Sequence, residues 1–523
     1  MYNKSIQDFL CSESDPVVQT GAGRIRGYRI NGIYTFCGIP YARAERFRLP
    51  EPVEPWEGIM DTQDYGHVCP TRPEHTTVGN LAFPKRYWLA DENCQYLNIW
   101  TKQLDADAKR PVVVWLHGGG FAAGSCLELE CYDGENMCRY GDVVQVSLNH
   151  RLNIYGFLDL SDYGPEYEAS GIAGMEDIVS ALKWIRDNIT AFGGDPENVT
   201  ILGESGGGGK VRTLMQMASA DGLYHRAIVD SGILPCQDTT PEEEKENARA
   251  FAGRIVEAAG GLECLLQMDN YHLQNLIDRT AGTDFFNWCP VPRTGSYTGE
   301  WYNAGFRKET LHIPLIAGSV FTELVPRPRQ INDKNALTQE QRYQAIVDAY
   351  GEEPAPAISE AFRKAYPEFN VYFASLADCM VRRPTVDFCV KRTMAGGRDT
   401  YNFLFAHETG YKGGLLSTHA DELAFVFHNA EYIGALFAGE QTWKIQDEIF
   451  YSFMAFARTG DPNNEKITPW KRVTPQERNC FVFSKTPGNR VSHDEELMEL
   501  IGKYSRHAQP RWVKKQTEKE STK

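Results

Sequence analysis

Short apolar runs alternate with amphipathic stretches through the middle of the chain. Runs rich in Val, Ile and Leu are typical of buried strands, and apolar residues that recur every three or four positions are typical of helices. The runs that predict strands lie at 111–116, 142–148, 198–202, 227–229, 315–318 and 401–405. Helices are predicted at 176–189 and 441–458. This alternation predicts an α/β fold, in which helices cover both faces of a large, mostly parallel sheet.

Two helix-rich stretches, near 241–282 and 338–392, interrupt the alternation. The chain shows no internal repeat and no low-complexity linker, so we expect these stretches to be excursions that roof the sheet and its site. One domain is therefore predicted over 1–505, followed by a polar, basic tail at 506–523.

Composition excludes several classes of function. The chain has 523 residues, is 42% hydrophobic and carries a formal charge of −16, which argues against a nucleic-acid or anionic-membrane binder. No apolar run is long enough to span a bilayer. The first ten residues lack the apolar centre of a secretory signal, so we expect a cytoplasmic protein unless a signal has been removed.

The 13 cysteines are scattered, and no Cys-x-x-Cys pair occurs. This spacing predicts mostly reduced thiols, with no metal site and no dense disulfide framework. No cofactor is predicted, and we expect a monomer.

A G-x-S-x-G pentapeptide at 203–207 directly follows the strand predicted at 198–202. A serine on a sharp strand-to-helix turn projects its hydroxyl out of the sheet, and the flanking glycines avoid steric clashes there. Upstream, His117-Gly118-Gly119-Gly120 follows another predicted strand. The pattern predicts Ser205 as a nucleophile and the amides of Gly119, Gly120 and Gly206 as an oxyanion hole.

A phosphate-binding P-loop is the competing interpretation of the glycines before Lys210. That loop needs a glycine where the chain has Glu204, and Ser or Thr where it has Val211. Both requirements fail, so nucleotide binding is not expected.

Further motifs give the chain a family resemblance. They include Gly38-Ile39-Pro40-Tyr41-Ala42, Glu92 to Trp100, Asn149-His150-Arg151-Leu152, Phe192 to Thr200 and Phe456 to Asn463. With the two glycine motifs, they resemble the type-B carboxylesterase and cholinesterase family over roughly residues 17–505. The resemblance implies an α/β-hydrolase fold and a triad in the chain order serine, acid, histidine.

Within this resemblance, Glu323 matches the family acid and His419 matches the family histidine. Asp284 and Asp421 remain alternatives to the acid. His407 and His428 remain alternatives to the histidine.

Five positions raise questions that the sequence leaves open. Gly206 replaces the family's usual alanine, which predicts more room at the oxyanion hole. Lys210 stands where the family commonly has serine, and Arg212 follows it, so each cation needs an acidic partner or access to water. The last question concerns Cys69 and Cys94, which match positions that are paired in secreted relatives and are either bonded or free here.

The resemblance implies hydrolysis of a small-molecule carboxylic ester through a covalent acyl-enzyme. The alternatives are an amide, lactone or thioester hydrolase on the same triad, and a non-catalytic cholinesterase-like binding protein. Phe285, Phe286 and Trp288 either border the acyl pocket or belong to the core. With histidine as the base, activity is expected to rise through roughly pH 6 to 7.5.

Overall fold

A large sheet dominates the chain in the computed structural model. The structure describes residues 6, 8–72, 85–237, 239–280, 288–324 and 333–505. The predicted tail at 506–523, together with Asp284, Phe285 and Phe286, lies outside the described residues.

Fifteen strands occur in the described part of the chain. In chain order they are β1 (Phe9–Leu10), β2 (Val17–Gln19), β3 (Arg24–Arg26), β4 (Tyr28–Ile30), β5 (Ile33–Pro40), β6 (Ile59–Asp61), β7 (Tyr96–Thr101), β8 (Arg110–Leu116), β9 (Val144–Leu148), β10 (Gly194–Glu204), β11 (Arg226–Asp230), β12 (Leu315–Val320), β13 (Thr400–Phe405), β14 (Asn479–Phe483) and β15 (Gly488–Val491).

Twelve of these strands form one sheet, in the order β1-β4-β5-β7-β9-β8-β10-β11-β12-β13-β14-β15, and β2, β3 and β6 form a small second sheet. In the large sheet, every pairing from β9 to β14 is parallel, whereas the pairings outside this block are antiparallel. All six strands predicted from apolar runs lie in the parallel block. The prediction of a large, mostly parallel sheet is therefore confirmed.

The helices of the described residues connect and cover these strands. They are α1 (Glu135–Gly141), α2 (Asn153–Phe157), α3 (Ala173–Asn188), α4 (Gly206–Leu214), α5 (Pro241–Ala259), α6 (Leu262–Gln267), α7 (Asn270–Thr280), α8 (Trp301–Ala304), α9 (Gln339–Tyr350), α10 (Ala355–Ala365), α11 (Arg382–Met394), α12 (Leu423–Val426), α13 (Glu440–Thr459) and α14 (Glu495–Tyr504). The predicted helices at 176–189 and 441–458 correspond to α3 and α13. None of the described helices combines the length and the apolar character needed to cross a membrane.

The alternation of side chains along β8 explains why both faces of the sheet are covered. Val112, Val114 and Leu116 point to one face, where they join a core cluster with the apolar side of α3. Val113 and Trp115 point to the other face and join a cluster with α13. Because both faces are buried, the strand is a continuous apolar run rather than an alternating pattern.

The register of the parallel strands aligns their carboxyl ends. Leu116 of β8 pairs with Gly203 of β10, and the next residue, Glu204, pairs with Asp230 of β11. Asp230 in turn pairs with Gly318 of β12. The loops that follow these strands therefore meet at one edge of the sheet, which is where α/β proteins place their sites.

Strand β10 begins earlier than its apolar run predicts. Gly194 already pairs with Arg110, and the register shifts before Val199 continues the pairing with β8. The polar residues between these two positions belong to an irregular start of the strand, a feature that periodicity does not detect.

Candidate active site

Ser205 occupies the turn between β10 and α4. Its backbone has φ 55° and ψ −121°, a left-handed φ that is unfavourable for a residue with a side chain. Its N–H donates to the carbonyl of Asp230 at 2.9 Å, which holds the turn against β11. A conformation of this kind persists only where its surroundings impose it, and such positions cluster at functional sites.

The glycines around Ser205 permit a close approach of helix to sheet. A Cβ at Gly203 would overlap the backbone of Gly207, and a Cβ at Gly207 would overlap the carbonyl oxygen of Leu116. Any larger residue at these positions would push α4 away from the ends of β8 and β10. Glycine is therefore required at these positions to avoid steric overlap, in addition to its role in the turn.

Ser205, His419 and Glu323 lie in one hydrogen-bonded line. His419 Nε2 lies 2.8 Å from Ser205 Oγ, and His419 Nδ1 lies 2.5 Å from Glu323 Oε2. The other oxygen of Glu323 accepts hydrogen bonds from Ser231 Oγ at 2.7 Å and from the N–H of Val320 at 2.8 Å. With Glu323 ionised, Nδ1 carries a proton, and neutral His419 presents the lone pair of Nε2 to the serine.

Two neighbouring loops carry the acid and the histidine. Glu323 lies three residues after β12, and His419 lies in the loop after β13. A parallel bridge between Thr322 and Thr418 ties these loops together. The chain thus brings the two side chains together through adjacent strands, although 96 residues separate them.

The alternative residues engage other groups. His407 Nε2 lies 2.9 Å from the carbonyl of Leu436. His428 stacks on Tyr140 with ring centroids 4.2 Å apart. Asp421 accepts a hydrogen bond from the N–H of Thr418, which shapes the loop that carries His419.

Buried carboxyl groups surround His419, and the sequence reasoning missed them. Glu204, the residue before the serine, places Oε1 3.2 Å from His419 Nε2. Burial raises the pKa of Glu204 to about 7. Asp230 and Glu422 are also buried, and burial together with the charge of neighbouring carboxylates raises the pKa of each. In the sequence, the sign of a buried acid at this site was that Glu204 belongs to the G-x-S-x-G pentapeptide.

These carboxylates act on the imidazole. Burial alone lowers the pKa of His419, but the charge of Glu204, followed by the hydrogen bond and charge of Glu323, outweighs it and raises the pKa to about 10. The histidine therefore holds a proton to higher pH than a free imidazole does.

The glycine turn after β8 lies beside the serine. Gly119 and Gly120 have φ of 92° and 61°, a left-handed region that suits glycine. A Cβ built at Gly118 would lie 3.5 Å from Ser205 Cβ. Within the described residues, the N–H groups of Gly119, Gly120 and Gly206 donate no hydrogen bond. Their role as an oxyanion hole stays a prediction.

The expected extra room at Gly206 is absent. A Cβ at this position would overlap the backbone of Gly120, so the glycine turn fills the space that an alanine methyl group would occupy. The prediction is wrong because the glycine turn packs directly against the Cα of Gly206, which carries no side chain.

The two cations of α4 have different partners. Arg212 forms an ion pair with Glu300 at 2.8 Å. Lys210 is 0% exposed, and its Nζ donates to the carbonyl of His117 at 2.8 Å. Within the described residues, no carboxylate lies within ion-pair distance of Lys210 Nζ. Burial lowers the pKa of Lys210 to about 7.

Three further predicted positions lie in the core. Cys69 and Cys94 are buried free thiols, and Cys69 Sγ accepts a hydrogen bond from the N–H of Leu152. Trp288 is 5% exposed and packs edge-on against Phe251. Its role as a pocket residue stays a prediction. Among the residues described, no group of three or more His, Cys, Asp or Glu is arranged to hold a metal ion.

Known proteins share this arrangement of sequence and fold. A family model described as the carboxylesterase family matches residues 14–499. The chain is 30% identical to para-nitrobenzyl esterase of Bacillus subtilis over 485 residues, 89% of this chain and 94% of that protein. Phenmedipham hydrolase of Pseudarthrobacter oxydans is 28% identical, with 92% of this chain and 97% of that protein covered.

Solved structures agree with the sequence comparison. An esterase from anaerobic Clostridium hathewayi that hydrolyses aliphatic aromatic polyesters superposes with a TM-score of 0.88 at 39% identity, covering 95% of this chain and 99% of that one. With its α/β-hydrolase fold, the chain belongs to the carboxylesterase family and is a carboxylic ester hydrolase.

Proposed function

We propose that the protein is a serine esterase that forms a covalent acyl-enzyme on Ser205. The observation that carries this proposal is the unbroken line from Glu323 through His419 to the serine hydroxyl, with contacts of 2.5 and 2.8 Å. A serine hydroxyl is a weak nucleophile at neutral pH, and an oriented imidazole is the group that activates it.

His419 acts as the base and then as the acid. Neutral His419 accepts the proton of Ser205 while Oγ attacks the ester carbonyl, and the resulting imidazolium protonates the departing alcohol. A water molecule then repeats the sequence on the acyl-enzyme and releases the carboxylic acid. Glu323 keeps the proton on Nδ1 and stabilises the imidazolium at each stage.

The amides of Gly119, Gly120 and Gly206 receive the negative oxygen of each tetrahedral intermediate. Their hydrogens have no partner within the described part of the chain, so no bond must break before they bind the oxyanion. Donors that are oriented in advance stabilise the transition state more than the ground state.

Small-molecule carboxylic esters are the substrates we propose, taken up by a single domain over 1–505. Two relatives are named for aryl-containing esters, a para-nitrobenzyl ester and aliphatic aromatic polyesters. Those names favour esters with an aromatic alcohol or acid as first test substrates. Phe285, Phe286 and Trp288 remain the proposed acyl-side residues.

Ser205→Ala tests the proposal. We expect kcat for p-nitrophenyl butyrate to fall by about 10⁶-fold, and a fluorophosphonate label to be recovered on Ser205 of the unmodified protein. Ser219→Ala is the matched control, because Ser219 Oγ bonds to Ser296 and Glu176 away from the line of three residues. Equal hydrolysis by the protein and its Ser205→Ala variant would refute the assignment.

A further inference from the structure

Lys210 is a buried cation that the proposed chemistry does not use. It lies one helical turn after Gly206 on α4. Side chains on a helix lean toward its N-terminus, so Lys210 extends back over Gly206 and Gly207. Because these two residues lack side chains, the ammonium group reaches the His117 carbonyl at 2.8 Å.

Two stacked imidazole rings lie beside this cation, and the charges of Glu128 and Glu204 act on it from beyond ion-pair distance. The imidazoles of His117 and His150 stack with their centroids 5.3 Å apart. Burial, followed by the charge of Lys210, lowers the pKa of both rings. A cation without a carboxylate at contact distance is costly to bury, so packing alone gives no reason for a lysine at this position.

The bond to His117 acts on the glycine turn. The carbonyl of His117 and the N–H of Gly118 belong to one planar peptide, so a donor on the carbonyl fixes the plane of the amide. His117 Nδ1 lies 2.8 Å from the carbonyl of Gly118. The carbonyl of Gly119 accepts from the N–H groups of Ala122 and Ala123. Three successive carbonyls are thus held, while the N–H groups of Gly119 and Gly120 donate no hydrogen bond to any described residue.

We propose, on the basis of the function proposed above, that Lys210 is a positioning residue of the oxyanion hole. Its ammonium group anchors the backbone of His117 through the carbonyl. The ring of the same residue holds the Gly118 carbonyl, whose peptide carries the N–H of Gly119, so Lys210 acts on the oxyanion hole through His117. Both protonation states of an amine carry N–H donors, so the hydrogen bond persists in either state. When Lys210 is charged, it also adds positive potential behind the position of the oxyanion.

Lys210→Met tests this role, since methionine has a similar length but no donor and no charge. We expect kcat for p-nitrophenyl butyrate to fall by about 10- to 100-fold, with KM changed by less than about twofold. The affinity for an aryl trifluoromethyl ketone, which binds serine as a charged hemiketal, should fall by the same factor as kcat. Rates are taken per site labelled to completion by fluorophosphonate, so unfolded protein does not contribute.

Two further variants separate positioning from folding. Lys210→Gln keeps a neutral N–H donor and should recover part of the lost kcat. Arg212→Gln removes the other cation of α4, which pairs with Glu300, and should leave kcat per site unchanged.

An unchanged kcat and ketone affinity in Lys210→Met would overturn the inference, as would variants at Lys210 that give no labelled sites at all. If Ser205→Ala instead retains the kcat of the unmodified protein, the proposed function itself is refuted.

Discussion

The two sides of Ser205 bury different ionisable groups. On the His419 side, four buried carboxyl groups lie around one imidazole: Glu204, Asp230, Glu323 and Glu422. On the side of the glycine turn, buried Lys210 lies beside the rings of His117 and His150, and Glu128 and Glu204 act on its charge from beyond ion-pair distance. The pKa of the histidine is raised on the first side, and the pKa values of Lys210 and both rings are lowered on the second.

This difference matches the two charges that ester hydrolysis creates. The imidazolium develops on the acidic side, and the oxyanion develops on the side of the amides and Lys210. The imidazolium meets the carboxylate of Glu323 and the oxyanion meets oriented amides, so each developing charge finds a group that is already in place. The comparison indicates that the different buried groups on the two sides of the serine, as well as the line of three residues, are a property of the site.

Glu323→Gln gives the largest expected effect on the acidic side. The glutamine oxygen would accept the bonds from Ser231 and the Val320 N–H, so its NH₂ group would face His419 Nδ1. The proton of a neutral imidazole would then move to Nε2, where it blocks transfer from the serine. We expect kcat to fall by about 10³- to 10⁴-fold, measured with p-nitrophenyl butyrate.

Glu448→Gln is the control for this change, because Glu448 lies in α13 and its carboxylate lies 3.8 Å from Lys444. A loss of less than tenfold in Glu323→Gln would show that the carboxylate does not orient the histidine.

Gly206→Ala tests the opposite side with a single methyl group. The added Cβ would overlap the backbone of Gly120 and displace the turn from the serine. We expect kcat to fall by about 10- to 100-fold, with a parallel loss of affinity for the trifluoromethyl ketone. Full activity in this variant would mean that the turn adjusts freely, and the close contact would then carry no function.

Glu204→Gln gives the smallest change in rate and the clearest change in pH dependence. The pKa of His419 is raised, so its protonated form, which cannot accept the serine proton, persists above pH 7. Activity is present above that pKa and is lost as the pH falls through it. The acid limb of kcat/KM therefore lies above the window of roughly pH 6 to 7.5 expected for an ordinary histidine.

Removing the charge of Glu204 lowers the pKa of His419 and moves this limb to lower pH. The measurement is kcat/KM between about pH 5 and pH 10. The same profile of Glu448→Gln should not move. If the acid limb of kcat/KM in Glu204→Gln lies at the same pH as in the unmodified protein, the role of this carboxylate is refuted.

Local patterns predicted the parts of the site that local geometry determines. Ser205 and its glycines follow from a strand, a sharp turn and a helix that are adjacent in the sequence. The apolar runs predicted the parallel strands because burial on both faces requires continuous hydrophobic residues. Glu323 and His419 came from the family resemblance, since nothing local distinguishes them from Asp421 or His407.

Contacts between remote segments were not predictable in this way. In the pairing of β10 with β11, Asp230 lies opposite Glu204. This register depends on the tertiary structure and cannot be read from either strand alone. The partner of Lys210 is a backbone carbonyl 93 residues away, which no side-chain pattern reveals. The closure of Gly120 onto Gly206 likewise depends on how two loops pack.

The parallel bridge between Thr322 and Thr418 has a structural consequence. It fastens the loops that carry Glu323 and His419 to each other, directly above two adjacent strands. The helices α9 to α11 lie in the chain between these strands, yet they are not needed to bring the loops together. A change in the length of the segment between these strands would therefore leave Glu323 beside His419.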